Sequence, residues 1–338
     1  MRAALNQRTA APGFLDPATL ARIDNLELMA RTVVDGFING LHRSPYLGLS
    51  LDFAEHRPYN PGDDIRRIDW RLWARTDRHY VKEFEAETNA NFLVLLDTSP
   101  SMDYGSAGIR KLDYARYLAA CLSYFSRQQR DRVGLITFDD RVREYVPPSA
   151  RHLDIVLHTL DRLDTQSRDG ERSREGREGR EGREGREGTA AGGGDRAGSP
   201  EPGLAAAVSH AADRVRRRGI VVLISDFYED PAAAVEAVRQ LRYRGNDVVV
   251  FHVLDPTEVE FPFEDPSAFE DLETGARIPV VPSTMRAKYR QLIDAHIAEL
   301  ARRFAEERID YSLFDTGTPL DYALFRYLSD RQGMSRIR

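Results

Sequence analysis

A carboxylate and two hydroxyls occupy alternate positions of the chain directly after an apolar run. The run covers residues 92–96, and Asp97, Ser99 and Ser101 follow it. If the run is a buried strand, the loop at its end can direct three hard oxygen atoms at one point. Hard oxygens are the ligands that Mg²⁺ and Mn²⁺ prefer, so this spacing predicts a metal-binding loop.

A second carboxylate, Asp226, ends another apolar run at residues 220–225. In open α/β sheets, ligands bind outside the carboxyl ends of the strands. If the two runs are neighbouring strands, Asp97 and Asp226 face one crevice. Ser99 and Ser101 would then bind a metal directly, and the two aspartates would bind it directly or through water.

The same residues also fit an interpretation without a metal. Asp97 would then cap a turn, and Ser101 or Asp103 would cap the helix that follows. An Asp-x-Ser-x-Ser pattern is weak on its own. The apolar run before it and the second aspartate at a strand end favour the metal site.

The elements that would position these residues alternate between strands and helices from residue 91 onward. Val, Ile and Leu runs separated by helical patterns predict a Rossmann-like α/β fold, with a mainly parallel sheet and helices on both faces. The predicted strands are residues 92–96, 133–138, 220–225, 247–253 and 309–314. The predicted helices are residues 111–128, 150–163, 204–217, 232–243, 283–306 and 320–328. Residues 273–276 have the sequence of a hairpin turn.

The residues before this domain predict a different organisation. Residues 1–15 are expected to be disordered, and a helix is predicted from Asp16 to about Ala30. Residues 32–38 and 45–77 predict short strands in an irregular subdomain. The predicted division is an N-terminal helix with a small β-rich subdomain at 16–90, the α/β domain at 91–330 and a tail at 331–338.

A low-complexity segment interrupts the α/β domain. The unit Arg-Glu-Gly repeats five times between Arg174 and Gly188, within a Gly- and Ser-rich stretch. Such a sequence has no apolar area to bury, so residues 167–200 are predicted to be a disordered insertion. Arg and Glu balance within each unit, which argues against a basic arm for nucleic acid.

The composition excludes several classes of protein. The 338 residues have a formal net charge of −6, which does not favour binding to a phosphate backbone. No apolar run reaches the roughly 20 residues of a transmembrane segment. The first residues lack the apolar stretch of a secretory signal, so a cytoplasmic location is expected. The single cysteine, Cys121, is predicted to be a core residue of a helix.

Several sequence motifs of enzymes are absent, so the sequence gives no support for a catalytic function. The chain has no nucleophile elbow, no phosphate-binding loop of the Walker type and no dinucleotide fingerprint. The histidines, including His252 on a predicted strand, lack ligand spacing for zinc. A metal-dependent phosphoesterase-like hydrolase is the minor alternative, with Asp103 or Asp139 as its general base.

Two stretches resemble known families. Residues 93–102, Leu-Val-Leu-Leu-Asp-Thr-Ser-Pro-Ser-Met, resemble the first strand and metal loop of a von Willebrand factor A domain. Residues 57–70, Arg-Pro-Tyr-Asn-Pro-Gly-Asp-Asp-Ile-Arg-Arg-Ile-Asp-Trp, resemble a bacterial family called domain of unknown function 58, often encoded beside MoxR-type AAA+ ATPases. Residues 74–75, 219–226, 252–256 and 273–275 extend this resemblance, which covers about residues 30–330.

The resemblance implies a von Willebrand factor A-like domain at 91–330 with a metal ion-dependent adhesion site. By matched position, Asp97, Ser99 and Ser101 form the first metal loop, and Asp226 is the aspartate at a strand end. A Mg²⁺ or Mn²⁺ ion would keep one position open for an acidic residue of a protein partner. The implied partner is a MoxR-type AAA+ ATPase, with this chain as adaptor or chaperone.

The chain departs from the family pattern at one position. Where the family has a threonine on the middle loop, the register here falls on Pro202, which has no hydroxyl. Thr189, Ser199 or Glu201 could substitute for it, and spacing selects none of them. Three hypotheses therefore stay open: a metal-dependent binding module, which is favoured, a metal-dependent hydrolase, and a degenerate scaffold that needs no metal.

A dense cluster of polar and aromatic residues lies in the N-terminal region. Aspartates and arginines at this spacing can form bidentate pairs, and tryptophans can stack on guanidinium groups. The favoured interpretation is a buried polar network that joins the subdomain to the sheet, and the alternative is a docking surface. The residues are Arg57, Tyr59, Asp63, Arg66, Asp69, Trp70, Trp73 and Arg75.

Overall fold

The computed structural model describes residues 17–20, 23, 25–43, 55–59, 70–83, 90–106, 108–163, 204–215 and 217–324. Its strands are β1 (Glu55–Pro58), β2 (Tyr80–Glu83), β3 (Asn91–Asp97), β4 (Arg132–Phe138), β5 (Val142–Ser149), β6 (Gly219–Ser225), β7 (Asp247–Leu254), β8 (Ser267–Glu270), β9 (Arg277–Val280) and β10 (Asp310–Asp315). Its helices are α1 (Pro17–Leu20), α2 (Leu26–Arg43), α3 (Trp70–Thr76), α4 (Lys111–Gln128), α5 (153–163), α6 (Leu204–Arg214), α7 (Pro231–Tyr243), α8 (Pro256–Glu260) and α9 (Pro282–Glu306).

A six-stranded sheet in the order β10-β7-β6-β3-β4-β5 organises the α/β domain. Every neighbouring pair is parallel except β4 with β5, which is antiparallel. This confirms the predicted α/β class with a mainly parallel sheet. The five predicted strands are each found within one residue of their predicted bounds. The sequence analysis missed β5, an edge strand that contains two prolines; prolines are tolerated at an edge because one side of the strand needs no ladder hydrogen bonds.

Helices cover both faces of this sheet. Successive side chains of a strand point to opposite faces, and in β3 they enter two different cores. Phe92, Val94 and Leu96 pack in a core with α2 and α4, whereas Leu93 and Leu95 pack in a core with α6, α7 and the end of α9. Double burial explains why the central strands are continuous apolar runs.

The N-terminal prediction is wrong at residues 32–38, which lie within α2 rather than in a β-rich segment. The predicted helix end near Ala30 is wrong for the same reason. Leu26, Met29, Val33 and Phe37 recur at helical spacing and are all buried, against α4 on one face of the sheet. Burial of this stripe outweighs the weak preference of β-branched residues for strands.

Other boundaries follow the sequence more closely. Helix α4 has the predicted bounds, α5 begins three residues later than predicted, and α6 ends at Arg214 instead of residue 217. The predicted turn at residues 273–276 joins β8 and β9 in a small hairpin. Residues 320–324 are helical, and the rest of the predicted last helix lies outside the described residues. So do the Arg-Glu-Gly segment, the start and the tail. No helix in the described ranges is long and apolar enough to cross a membrane.

Candidate metal centre

The two predicted aspartates lie at the same edge of the sheet. Asp97 is the last residue of β3, and Asp226 directly follows β6. These strands are parallel neighbours, with Leu96 opposite Ile224. The condition under which both carboxylates would face one crevice, that their strands pair, is therefore met.

Hydrogen bonds hold the loop after β3 in a fixed shape. The Ser99 amide donates to Oδ1 of Asp97 at 2.9 Å, and the Ser225 hydroxyl donates to Oδ2 at 2.5 Å. The hydroxyl oxygens of Ser99 and Ser101 are 3.1 Å apart, so they can direct lone pairs at a common point. Residues 100–103 then form a short 3₁₀ turn.

The interpretation without a metal made two statements, one about a turn cap and one about a helix cap, and only the first is correct. Asp97 does cap a turn, through its bond from the Ser99 amide. Neither Ser101 nor Asp103 caps α4, whose N-cap residue is Arg110 without a side-chain capping bond. The hydroxyls of Ser99 and Ser101 are thus not used as helix caps.

Burial removes water from the carboxylates of two neighbouring aspartates, which disfavours their charged forms. Asp97 is 5% exposed and Asp226 is 3% exposed. Burial, followed by the nearby charge of Asp226, raises the pKa of Asp97 to about 7. A bound cation would relieve both effects, because it replaces lost hydration and separates the two negative charges.

A buried lysine that the sequence analysis did not single out contacts this pair. The ammonium of Lys111 lies 2.9 Å from Oδ2 of Asp226 and 2.7 Å from Oε1 of Glu258. It also lies 4.7 Å from the centre of the Tyr228 ring. Burial acts to lower the pKa of Lys111, but the charges of Asp226 and Glu258 outweigh it and the pKa is raised. Lys111 is therefore a resident cation on one side of Asp226.

The donor atoms fit a hard divalent cation. The carboxylates of Asp226 and Glu258 share the one ammonium of Lys111, and Asp97 adds a third carboxylate, so full ionisation leaves an excess of two negative charges. Mg²⁺ or Mn²⁺ would neutralise that excess, with oxygen ligands of the preferred kind. The described residues contain no group of three or more His, Cys, Asp or Glu that could hold a metal. A metal here would therefore depend on the serine hydroxyls and water as well. Pro202, Thr189, Ser199 and Glu201 lie outside the described residues.

Asp255 supports the segment between the metal loop and α4. Its buried carboxylate accepts bonds from the amide and hydroxyl of Ser106, at 2.9 and 2.5 Å. It also accepts from the amide and hydroxyl of Thr257, at 2.8 and 2.6 Å. Because Asp255 follows β7, it fixes the segment that leads to Lys111 against the same edge of the sheet.

A carboxylate from a distant hairpin reaches the metal loop. The Ser101 amide donates to Oε1 of Glu273 at 3.0 Å, across 172 positions of the chain. Glu273 belongs to the turn between β8 and β9. The sequence analysis identified this turn and a family match in it, but had no signal that its tip approaches Ser101.

The two tryptophans singled out from the sequence are exposed. Trp70 and Trp73 are 55% and 37% exposed and meet edge to face at 6.0 Å, which differs from the buried network favoured for them. Trp73 stacks on His79. The side chain of Arg57, and Asp63, Arg66 and Asp69, fall outside the described residues. Cys121 is buried in the core as predicted.

His252 and the two candidate bases each have a partner. His252 is buried on β7, where Nδ1 lies 2.6 Å from the Tyr311 hydroxyl. Asp103 lies 3.5 Å from Arg110, and Asp139 pairs with Arg143. Neither aspartate is thus held as a free base beside the centre.

Comparison with known proteins places this chain among relatives without an assigned function. A family model described as protein of unknown function DUF58 matches residues 55–299. An uncharacterized protein of Mycobacterium tuberculosis is 28% identical over 290 residues, covering 85% of this chain and 81% of the relative.

Solved structures give weaker likenesses. An aerotolerance-related membrane protein of Bacteroides fragilis, crystallised with multiple mutations to serines, has 18% identity and a TM-score of 0.42 over 69% of this chain and 96% of that one. The conserved hypothetical protein BatB of Bacteroides thetaiotaomicron has 18% identity and a TM-score of 0.42 over 72% of this chain and 99% of that one.

Proposed function

The chain belongs to the DUF58 family of proteins of unknown function, and from its candidate metal centre we propose that it is a non-enzymatic, metal-dependent protein-binding module with a von Willebrand factor A-like domain. Mg²⁺ or Mn²⁺ would be held by Asp97, Ser99, Ser101 and Asp226. A glutamate or aspartate of a partner protein would take an open position on the ion.

One observation carries this proposal. Asp97 and Asp226 stand at the ends of paired strands, both buried, and the pKa of Asp97 is raised to about 7 by burial and by Asp226. Two hydroxyls 3.1 Å apart lie in the same loop. Such a group is costly to bury without a further cation and suits a hard one.

The bound ion would link this chain to its partner protein and would not catalyse a reaction. A divalent cation with one coordination position open attracts a carboxylate from outside to that position. For the partner we propose a MoxR-type AAA+ ATPase, with this chain as an adaptor or chaperone. The expected cytoplasmic location stays a prediction.

The experiment is a calorimetric titration of Mg²⁺ and of Mn²⁺ into the whole protein. We expect saturable binding to the wild type and none to Asp97→Asn. Asp103→Asn is the matched control, because Asp103 is in the adjacent turn and pairs with Arg110 instead; it should bind as the wild type does. A pull-down of a MoxR-type AAA+ ATPase with and without EDTA then tests the partner. Equal metal binding by wild type and Asp97→Asn would refute the site.

Lys111 favours a second candidate function, a scaffold that binds its partner without metal. Its ammonium already neutralises one charge on Asp226 and Glu258. If Asp97 is protonated, that cation alone leaves only one excess negative charge. This candidate predicts no saturable metal binding and a partner complex that EDTA leaves intact.

A further inference from the structure

A carboxylate of the chain itself stands at the metal loop. Oε1 of Glu273 accepts a hydrogen bond from the Ser101 amide at 3.0 Å. Glu273 is solvent-exposed, so the contact lies at the mouth of the centre rather than in the core. The side of the loop open to solvent is also the side from which a partner's carboxylate would approach.

The turn that carries Glu273 is held in one shape. Oδ1 of Asp271 accepts from the Glu273 amide at 2.9 Å, and Oδ2 accepts from the Thr274 hydroxyl at 2.6 Å. The Gly275 amide closes the turn on the Asp271 carbonyl at 2.7 Å, with Gly275 at a φ of +71°. A positive φ suits glycine, since it has no Cβ. The turn therefore presents Glu273 with little conformational freedom.

Aromatic packing fixes the base of the hairpin. Phe269 of β8 stacks on Phe261 at 5.6 Å and meets Phe263 edge to face at 5.0 Å. Phe261 also packs against Tyr289 of α9 at 4.6 Å. An ion pair of Glu270 with Arg277 joins the two strands at 2.8 Å. The hairpin is thus attached to the body of the domain while its tip rests on the metal loop.

The charge of Glu273 has no cationic side chain beside it in the described part of the chain. Among the described residues, Glu273 has a neutral amide as its partner and no arginine or lysine within ion-pair distance. It adds a further negative charge beside a centre that already has an excess of them. A divalent cation held by the serines would turn this repulsion into attraction.

We propose that Glu273 is an internal ligand of the metal centre, occupying the position that a partner's carboxylate must take. This inference rests on the proposed function. Glu273 would then compete with acidic partners for the ion. A partner binds only if its carboxylate displaces Glu273, so its affinity for the ion must exceed that of Glu273.

The test is the water proton relaxation of Mn²⁺ bound to the whole protein, which reports the number of water molecules on the ion. Wild type is compared with Glu273→Ala and with Glu270→Ala, a control in the same hairpin whose carboxylate pairs with Arg277. The Asp271 turn uses the amide of Glu273 and survives the substitution. With Asp97, Ser99, Ser101, Asp226 and Glu273 on a six-coordinate ion, wild type keeps one water and Glu273→Ala keeps two. The relaxivity of bound Mn²⁺ should therefore rise about two-fold in Glu273→Ala and stay unchanged in Glu270→Ala.

Each outcome separates this inference from the function on which it rests. If the wild type binds Mn²⁺ and Glu273→Ala gives equal or lower relaxivity, the internal ligand is refuted and the metal site stands. If only Glu273→Ala binds Mn²⁺, Glu273 blocks the ion instead of binding it, and the internal ligand is refuted while the metal site stands. If neither protein binds Mn²⁺, the metal-dependent function fails and the internal ligand fails with it.

Discussion

The ammonium of Lys111 lies 2.9 Å from Oδ2 of Asp226, and both side chains are buried although 115 positions separate them in the chain. Glu258 of α8 binds the same ammonium at 2.7 Å. One cation thus joins the end of β6 to the first turns of α4 and α8. Removing one member of such a buried group leaves an uncompensated charge, which is strongly destabilising.

Lys111→Met is expected to lower the free energy of unfolding by about 3–5 kcal/mol in EDTA, because Asp226 and Glu258 lose their cation. Saturating Mg²⁺ should restore part of this loss, since a metal on Asp226 replaces the missing positive charge. Urea denaturation with and without Mg²⁺ measures both effects. Lys288→Met removes an exposed lysine of α9 and is the matched control. Equal stabilisation by Mg²⁺ in wild type and Lys111→Met would show that ammonium and metal do not share Asp226.

Asp97→Asn is expected to stabilise the metal-free protein at pH 8. The amide can keep both bonds, from the Ser99 amide and with the Ser225 hydroxyl, while the buried charge is removed. The folded-state pKa of Asp97, about 7, is above its ordinary value of 3.8, so ionisation costs stability as pH rises between these values. The free energy of unfolding in EDTA should rise by on the order of 1–3 kcal/mol. In saturating Mg²⁺ the advantage should vanish. A variant less stable than wild type in EDTA would contradict this.

The sequence was sufficient for the five parallel strands of the sheet and for the local part of the centre. Strands that are buried on both faces of a sheet are continuous apolar runs, so β3, β6 and β7 could be predicted directly from the sequence. Asp97, Ser99 and Ser101 are neighbours in the chain. Asp226 could be found because parallel strands bring their carboxyl ends to one edge of the sheet.

The remaining residues of the centre had no local signal. Lys111 is the first residue of an amphipathic helix. The sequence pattern of that helix does not show whether this lysine is exposed or buried. Glu273 contacts Ser101 across 172 positions and would look like any hairpin turn residue. The error at α2 has a different origin, because the helical spacing of Leu26, Met29, Val33 and Phe37 is visible in the sequence and outweighs the β-branched residues of the segment 32–38.

His252 should make the protein lose stability as the pH falls from 7 to 5. Burial, reinforced by His296 and to a smaller degree by Lys111, lowers the pKa of His252 to about 3, against an ordinary 6.5. Between these values the unfolded chain binds a proton that the folded chain does not, so acid favours unfolding. The contribution of His252 to this loss should be about 2 kcal/mol between pH 7 and 5. The raised pKa of Asp97 acts in the opposite direction in metal-free protein, so the test is the difference between the proteins. In thermal or urea denaturation, acidification from pH 7 to 5 should change the stability of His252→Phe about 2 kcal/mol more favourably than that of wild type. His158→Phe, which removes an exposed histidine of α5, should keep the wild-type slope; identical slopes for all three proteins would refute the assignment.

Asp255→Asn should weaken metal binding without touching a proposed ligand. Burial acts to raise the pKa of Asp255, but its bonds from Ser106 and Thr257 outweigh it and the pKa is lowered. An amide group in place of one oxygen must face a donor of Ser106 or Thr257, so at least one bond becomes a repulsive contact between donors. The free energy of unfolding should fall by about 1–3 kcal/mol.

The segment that leads from the metal loop to Lys111 should loosen, and Mn²⁺ affinity should fall several-fold. Calorimetry of Asp255→Asn beside Asp265→Asn, an exposed loop aspartate, measures the effect. Lower stability with unchanged Mn²⁺ affinity would mean that Asp255 supports the fold without positioning the centre.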